Sequence, residues 1–290
     1  MSWRTVVITN VAKLDLQMGF MVVRKEETTK IHLSEIGTVL IESTAVSITA
    51  ALIAELVKRK IKVIFCDEKR NPSSELMGYY GSHDTSNKIR KQVVWKENTK
   101  EAVWTEIVTE KIRKQKELLE YYKREEAELL SSYLQEIEWK DATNREGHAA
   151  KVYFNALFGM DFTRTADNLI NAALNYGYSI LLSTFNREVV SNGYITQLGL
   201  FHDNMFNPFN LSSDFMEPFR PLVDRQVKGM ILTEFGHEEK MHLVDVLNEE
   251  VMIDGKRQYV NNAIKIYCKS VFEALNEDDS SLIRFYGSEL

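Results

Sequence analysis

The apolar pattern of this 290-residue chain changes period once, near residue 68, and no other feature limits the fold as strongly. Before that point RTVVIT, AKLDLQ, FMVVR, KIHL and TVLIE are short, rich in β-branched residues and separated by turn chemistry such as Gln17-Met18-Gly19, so they predict strands. Among them SITAALIAELVKRK (47–60) repeats its apolar residues at helical spacing, with Ser47 or Thr49 as the cap. KVIFCD then returns to the strand pattern. Residues 68–86 (EKRNPSSELMGYYGSHDTS) collect Pro, Ser, Gly and Asn where periodicity lapses, which predicts a linker or functional loop. From residue 87 the period is helical nearly to the end, except for VMIDGKRQYV (251–260), where Asp254-Gly255 between apolar runs predicts a hairpin. The expected fold class is α+β: a small N-terminal β domain with one helix (1–67), a linker (68–86) and a larger all-α-helical domain (87–290) containing a short hairpin.

Composition supports a chain that folds throughout, with 44% hydrophobic and 27% charged residues and no segment biased toward disorder. Cys66 and Cys268 fit neither a disulfide framework nor a zinc pattern, which favours a reducing compartment. The N-terminus does not read as a signal peptide, and no apolar run approaches the roughly 18 residues of a membrane span. The expectation is a soluble, cytoplasmic protein.

The formal charge of −6 conceals a basic segment. Residues 86–116 hold nine Lys or Arg against four Glu, while 117–138 hold seven Glu against Lys123 and Arg124. Basic and acidic faces would then follow each other along one long helix. Such a helix is either a solvated surface laced with i,i+4 pairs or a phosphate-binding face.

Three segments of the helical region could carry chemistry: TNREGHAAKVYFNALFG (143–159), YITQLGLFHDN (194–204) and SSDFMEPFRP (212–221). Each has a plain structural reading. Thr143 followed by Glu146 has the form of a capping box. Asp214 and Glu217 share that spacing, although Pro218 fits poorly at the fourth helical position. A histidine such as His202, among apolar neighbours, is more often a satisfied, partly buried residue than a ligand. Taken together, however, Glu146, His202 and Glu217 could supply carboxylates for a hard divalent cation plus one imidazole, a set that shifts preference toward manganese or another transition ion.

REGHAAKVYF (145–154), DNLINAALNYGYSILL (167–182), QLGLFHDN (197–204) and SSDFMEPFRPLVD (212–224) resemble, in order, the motifs of CRISPR-associated protein one, the integrase that inserts new spacers into CRISPR arrays. The likeness extends to the β domain and linker, and is strongest to members that accompany a single-protein, RNA-guided effector nuclease. It implies a metal site, for Mg2+ or Mn2+, built from Glu146, His202 and Glu217, with Asp214 and Arg220 beside the ligands. Many relatives carry aspartate where this chain has Glu217. The resemblance also implies homodimers joined through the β domain, flanking a dimer of the small CRISPR-associated protein two. The effector nuclease and a further accessory adaptation protein are other partners to expect.

The chemistry so implied is transesterification: the 3′-hydroxyl of a captured double-stranded fragment attacks a phosphodiester of the repeat. Lys88, Arg90 and Lys91, with Lys111, Arg113 and Lys114, are the expected phosphate contacts along the DNA path. Two other readings compete. An HD-type phosphohydrolase would use the adjacent His202-Asp203 pair with His148 upstream and would make Asp203 indispensable. A non-enzymatic helical scaffold binding DNA or protein would need none of the acids.

Overall fold

In the first strands, alternate side chains turn inward as the sequence pattern requires. The computed structural model describes residues 4–78 and 82–287, which fall into two compact units divided between His83 and Asp84. In the first unit β1 (Arg4–Ile8), β5 (Ile36–Ile41), β7 (Lys62–Cys66) and β8 (Pro72–Glu75) form one sheet in that order, with β1, β5 and β7 parallel and β8 antiparallel. The second sheet runs β4 (Thr28–His32), β3 (Phe20–Arg24), β2 (Ala12–Gln17), β6 (Val46–Ile48). The β2–β3 turn places Met18 and Gly19 at φ +47° and +81°, the left-handed pair that matches strand twist.

α1 (Ala50–Lys58) begins at Thr49, whose hydroxyl accepts from the Leu52 N–H, while Ser47 lies in β6. Its Leu52 and Leu56 join the core formed by Leu14, Met21, Ile36 and Val63. Segment 68–86, expected as a linker or functional loop, contains the division between the two units and regular structure besides. Pro72–Glu75 pairs with β7 as an edge strand, where a proline costs no ladder bond, and Thr85 already opens a helix.

The second unit contains α2 (Thr85–Val93), α3 (Glu97–Tyr121), α4 (Ala127–Gln135), α5 (Arg145–Phe158), α6 (Leu169–Ser191), α7 (Asn210–Met216), α8 (Arg220–Gly229), α9 (His237–Val244) and α10 (Val260–Glu277). The long charged helix expected over 86–138 is thus broken twice. The second break has Lys123 in the left-handed region at φ +53°. An antiparallel pair, β9 (Glu250–Ile253) and β10 (Lys256–Tyr259), turns through Asp254 and Gly255, both at positive φ.

α3 is the centre of this unit, packing against α4, α5, α8 and α10. Phe185, Phe215, Phe219 and Tyr267 make a buried cluster of edge-to-face and tilted rings joining α6, the α7–α8 corner and α10. Gly177 of α6 allows α8 to approach, since a Cβ there would stand 2.4 Å from Val223 Cγ1. This corner and α3 position the residues of the site. No helix among the described residues is long and apolar enough to cross a membrane, and Cys66 and Cys268 are buried free thiols.

Candidate functional site

Apolar residues recur along α3 at Trp104, Ile107, Val108 and Leu118, and Lys111 falls on that same buried stripe. A buried ammonium needs partners, and two carboxylates supply them. Lys111 Nζ lies 2.6 Å from Glu146 Oε1 on α5 and 2.5 Å from Glu217 Oε2 at the α7–α8 corner. Arg220 Nε donates to Glu217 Oε1 at 2.9 Å, so Glu217 is held by two cations. Burial alone would push its carboxyl up, but Arg220 and Lys111 overcome that and hold it down to about 2. The same pairings, with Glu217 and Glu146, hold the Lys111 ammonium above its usual range against the desolvation that opposes its charge.

Glu146 is free to reach Lys111 because another residue caps its helix. Asp141 accepts the Arg145 and Glu146 N–H groups at 2.7 and 3.0 Å, and Asn144, the residue before α5, is in the left-handed conformation. The capping box expected for Thr143 and Glu146 is therefore absent: among the described residues the buried Thr143 hydroxyl has no partner, and the Glu146 carboxylate points to α3. Asp214 and Glu217 do not start a helix together either. Asp214 is inside α7, whereas Glu217 opens a single 3-10 turn whose next residue, Pro218, sits where no backbone donor is needed.

Buried Asp214 organises the loop that carries His202. Its Oδ2 accepts from the Leu200 and Phe201 N–H groups at 2.6 and 3.2 Å, and its Oδ1 from the His202 N–H at 3.2 Å. His202 Nδ1 lies 2.5 Å from the same Oδ1, which leaves Nε2 as the ring nitrogen available to a ligand. Gly199 permits this wrap, since a Cβ there would meet His202 O at 2.2 Å and Asp214 Oδ2 at 2.8 Å. The hydrogen bond to Asp214 raises the His202 pKa against partial burial, and the charges of Asp214, Glu217 and Glu146 add to it. Asp214 itself is pushed up by desolvation, which outweighs the imidazole and the backbone donors.

Behind Arg220 lies a cavity of about 190 Å³ lined by residues that include Lys111, Arg164, Tyr178, Glu217 and Asp224. Asp224 is buried and accepts hydrogen bonds from the Tyr153 and Tyr178 hydroxyls, the first at 2.8 Å. Desolvation raises its carboxyl to about 6, even though both tyrosine bonds favour the charged form. The Arg220 guanidinium stacks 4.6 Å over the Tyr178 ring, which fixes the arginine that holds Glu217.

The donor chemistry of Glu146, Glu217 and His202 fits a divalent cation of the magnesium or manganese kind. Two carboxylate oxygens already meet on one positive centre, and the imidazole is oriented by a carboxylate. Among the described residues no three acidic or imidazole ligands converge on one point, and Lys111 Nζ lies between the two glutamate oxygens. A divalent cation that takes both oxygens must therefore displace the ammonium.

The expected phosphate contacts divide. Arg90 and Lys91 are exposed on α2, and Lys88 is half-buried, near Asp84 and 5.7 Å from the Tyr194 ring centre. Arg113 pairs with Glu110 but is half exposed. Lys111 and Lys114 do not belong to that surface: both are buried, Lys114 against Glu117 at 2.9 Å and Glu110 at 3.5 Å. Local charge counting could not tell which face of α3 each lysine occupies. α2 is tied to the His202 segment by buried Gln92, which donates to Ile195 O at 2.9 Å and accepts from Ile195 N–H at 3.0 Å.

The HD-type arrangement is not formed. His202 pairs with Asp214, whereas Asp203 and His148 are exposed. The sequence reading also missed the roles of Asp141, Lys111 and Asp224; only the position of Lys111 on an apolar stripe could have signalled one of them.

Comparison with known proteins agrees with this architecture. The family model of CRISPR associated protein Cas1 matches residues 5–243. The CRISPR-associated endonuclease Cas1 of Neisseria meningitidis serogroup C (strain 8013) is 34% identical over 261 residues, covering 88% of this chain and 86% of that protein. Among solved structures, a casposase bound to its integration product superposes with a TM-score of 0.77 at 16% identity, over 97% of this chain and 93% of that one. A Cas6-RT-Cas1–Cas2 complex gives a TM-score of 0.72 at 18% identity, covering 97% of this chain and 36% of the longer chain. The match of the family model over most of the chain, with the meningococcal relative aligned across both units, establishes that this chain belongs to the CRISPR-associated Cas1 family.

Proposed function

We propose that the chain is a divalent-metal-dependent DNA integrase and endonuclease that joins captured fragments to a CRISPR repeat by transesterification. The observation that carries this reading is the meeting of Glu146 and Glu217 on one buried cation, beside a histidine whose Nδ1 is held by Asp214. The Neisseria relative is named an endonuclease and the casposase is bound to an integration product, and both names favour phosphodiester chemistry.

In this reading Glu146, Glu217 and the His202 Nε2 hold the ion, which when bound polarises the phosphoryl oxygens and stabilises charge on the leaving 3′-oxygen. Asp214 keeps the imidazole in the tautomer whose Nε2 carries the lone pair. Arg220, stacked on Tyr178, balances the charge of Glu217. Released from the glutamates, Lys111 offers an ammonium to the phosphate at the same centre. No protein nucleophile is needed, since the fragment 3′-hydroxyl attacks and one phosphodiester replaces another.

Arg90, Lys91 and Arg113 carry the DNA backbone in this reading. The chain works as a homodimer joined through its N-terminal unit, with a dimer of CRISPR-associated protein two, in the cytoplasm. The name of the Cas6-RT-Cas1–Cas2 complex favours the second partner. The effector nuclease and an accessory adaptation protein remain part of the proposed assembly. The test is strand transfer: a short duplex with free 3′-hydroxyls, a supercoiled plasmid carrying a leader and repeat, the small partner protein, and Mn2+ or Mg2+. Joined product that disappears with a chelator is expected. Absence of joining under every metal tested would overturn the reading.

A further inference from the structure

The loop after His202 turns its large apolar side chains outward. Met205 is 85% and Phe206 86% exposed, and among the described residues no ring stacks on Phe206. Phe201, at the start of the loop, is different, for it stacks on Trp104 of α3 at 4.6 Å and anchors that end. The loop is not loosely held. Buried Asn210 donates to Gln197 O and Asn204 O at 3.1 Å each, the Thr196 hydroxyl donates to Pro208 O at 2.7 Å, and the Asn204 side chain accepts the Phe206 N–H at 2.9 Å. Asp214 fixes the other side through three N–H groups. What sets these two side chains apart from other exposed apolar residues is that a firmly tied loop beside His202 holds them out to solvent, where they offer an apolar contact to whatever occupies that site.

We propose that Phe206, with Met205 beside it, is an apolar wedge that enters a base step of the DNA next to the phosphate held at His202. The inference rests on the DNA reading above. Four residues separate Phe206 from His202, so their Cα atoms are at most ~14 Å apart, the length of about four nucleotides of one strand. A strand that brings a phosphate to His202 and runs along this loop comes within reach of Phe206. Base faces suit these side chains, because phenylalanine and methionine are among the residues that unstack base steps in bent DNA. A wedge here would open the duplex at the point of attack and give the incoming 3′-hydroxyl its approach.

The test uses a complex of the full-length protein, with its small partner, on a leader–repeat duplex, probed by permanganate, which oxidises unstacked thymines. The proposal expects thymines within about four nucleotides of the attacked phosphate to react several-fold more than in free duplex. Phe206→Ala should abolish that gain, and Phe206→Leu should retain part of it, with both variants melting as the wild type does. Strand transfer by Phe206→Ala should fall about tenfold. Wild-type joining without enhanced thymine reactivity would overturn the wedge while leaving the integrase reading intact. So would reactivity unchanged in Phe206→Ala, or a Phe206→Ala effect confined to oligomeric state, which would make the loop a protein contact. Failure of the wild type to bind DNA at all would instead overturn the integrase reading, and the wedge with it.

Discussion

Lys111 Nζ and Glu217 Oε2 lie 2.5 Å apart across the interior of the helical unit, a pairing between a lysine of α3 and an acid more than a hundred residues later in the chain. Glu146 shares the same ammonium, so in the free protein Lys111 neutralises two carboxylates that would otherwise repel. Lys111→Met removes that cation, leaving Glu217 with Arg220 and taking the ammonium away from Glu146. Breaking a buried ion pair from one side costs about 3–5 kcal/mol, so the metal-free variant should melt well below the wild type. It should also bind Mn2+ more tightly, because no ammonium competes for the two oxygens. Thermal melts with and without Mn2+ check both effects: the Mn2+-induced rise in Tm should be larger in the variant. A smaller rise than in the wild type would show that Lys111 assists the ion.

Asp224 makes stability depend on pH. Its carboxyl is raised from an ordinary value near 3.8 to about 6 by burial between Tyr153 and Tyr178. A raised folded pKa means that the native state binds the proton more tightly than the unfolded chain. The stabilisation is fully present below the unfolded pKa and is lost as pH rises through about 6. Asp224→Asn abolishes this titration while keeping one acceptor. Denaturant unfolding from pH 4 to pH 7 should therefore show wild-type stability falling relative to the variant by up to about 3 kcal/mol. Glu217, held low, titrates in both proteins and cancels. A difference that moves the other way would contradict the raised pKa.

On α2, Arg90 and Lys91 are exposed and the helix is tied to the His202 segment through Gln92. Replacing both with glutamine should weaken duplex binding for every sequence and flatten its salt dependence by about 0.9 in slope for each phosphate no longer neutralised. Lys114→Gln should behave otherwise, lowering stability with no change in slope, since Lys114 is buried against Glu110 and Glu117. Binding isotherms from low to moderate salt distinguish the two. An unchanged slope for the double variant would move the DNA path elsewhere.

The strands and their turns were legible because alternation and Gln17-Met18-Gly19 are local signals, and the start of α1 was legible to within Ser47 or Thr49, the structure choosing Thr49. β8 was not, because Pro72, Ser73 and Ser74 have poor strand propensity and take that form only by pairing with β7. The helical site was half legible. Glu146, His202 and Glu217 came from ordered motifs, yet the sequence could not show that Asp141 caps α5, that Asp214 holds the His202 loop or that Lys111 meets both glutamates. Lys111 is far in the chain from both glutamates, and although Asp141 and Asp214 lie near their partners, no spacing rule marks either pairing.

The central claim is that Glu217 is a metal ligand of a strand-transfer site, and Mn2+-dependent strand transfer by Glu217→Gln tests it most directly. Glutamine keeps the volume and leaves an acceptor for Lys111 and Arg220 but removes the charge, which allows folding and DNA affinity to be measured on the same preparation. Glu217→Asp, which keeps a carboxylate on a shorter side chain, Asp214→Asn and Asp203→Ala serve as comparisons. The account predicts that Glu217→Gln loses more than ~100-fold in joining rate, beyond the 10–100-fold expected for a supporting residue, while still capturing DNA. Glu217→Asp should keep measurable joining, Asp214→Asn should be impaired less than Glu217→Gln, and Asp203→Ala should be near wild type. Full strand transfer by a folded, DNA-binding Glu217→Gln protein would contradict the account.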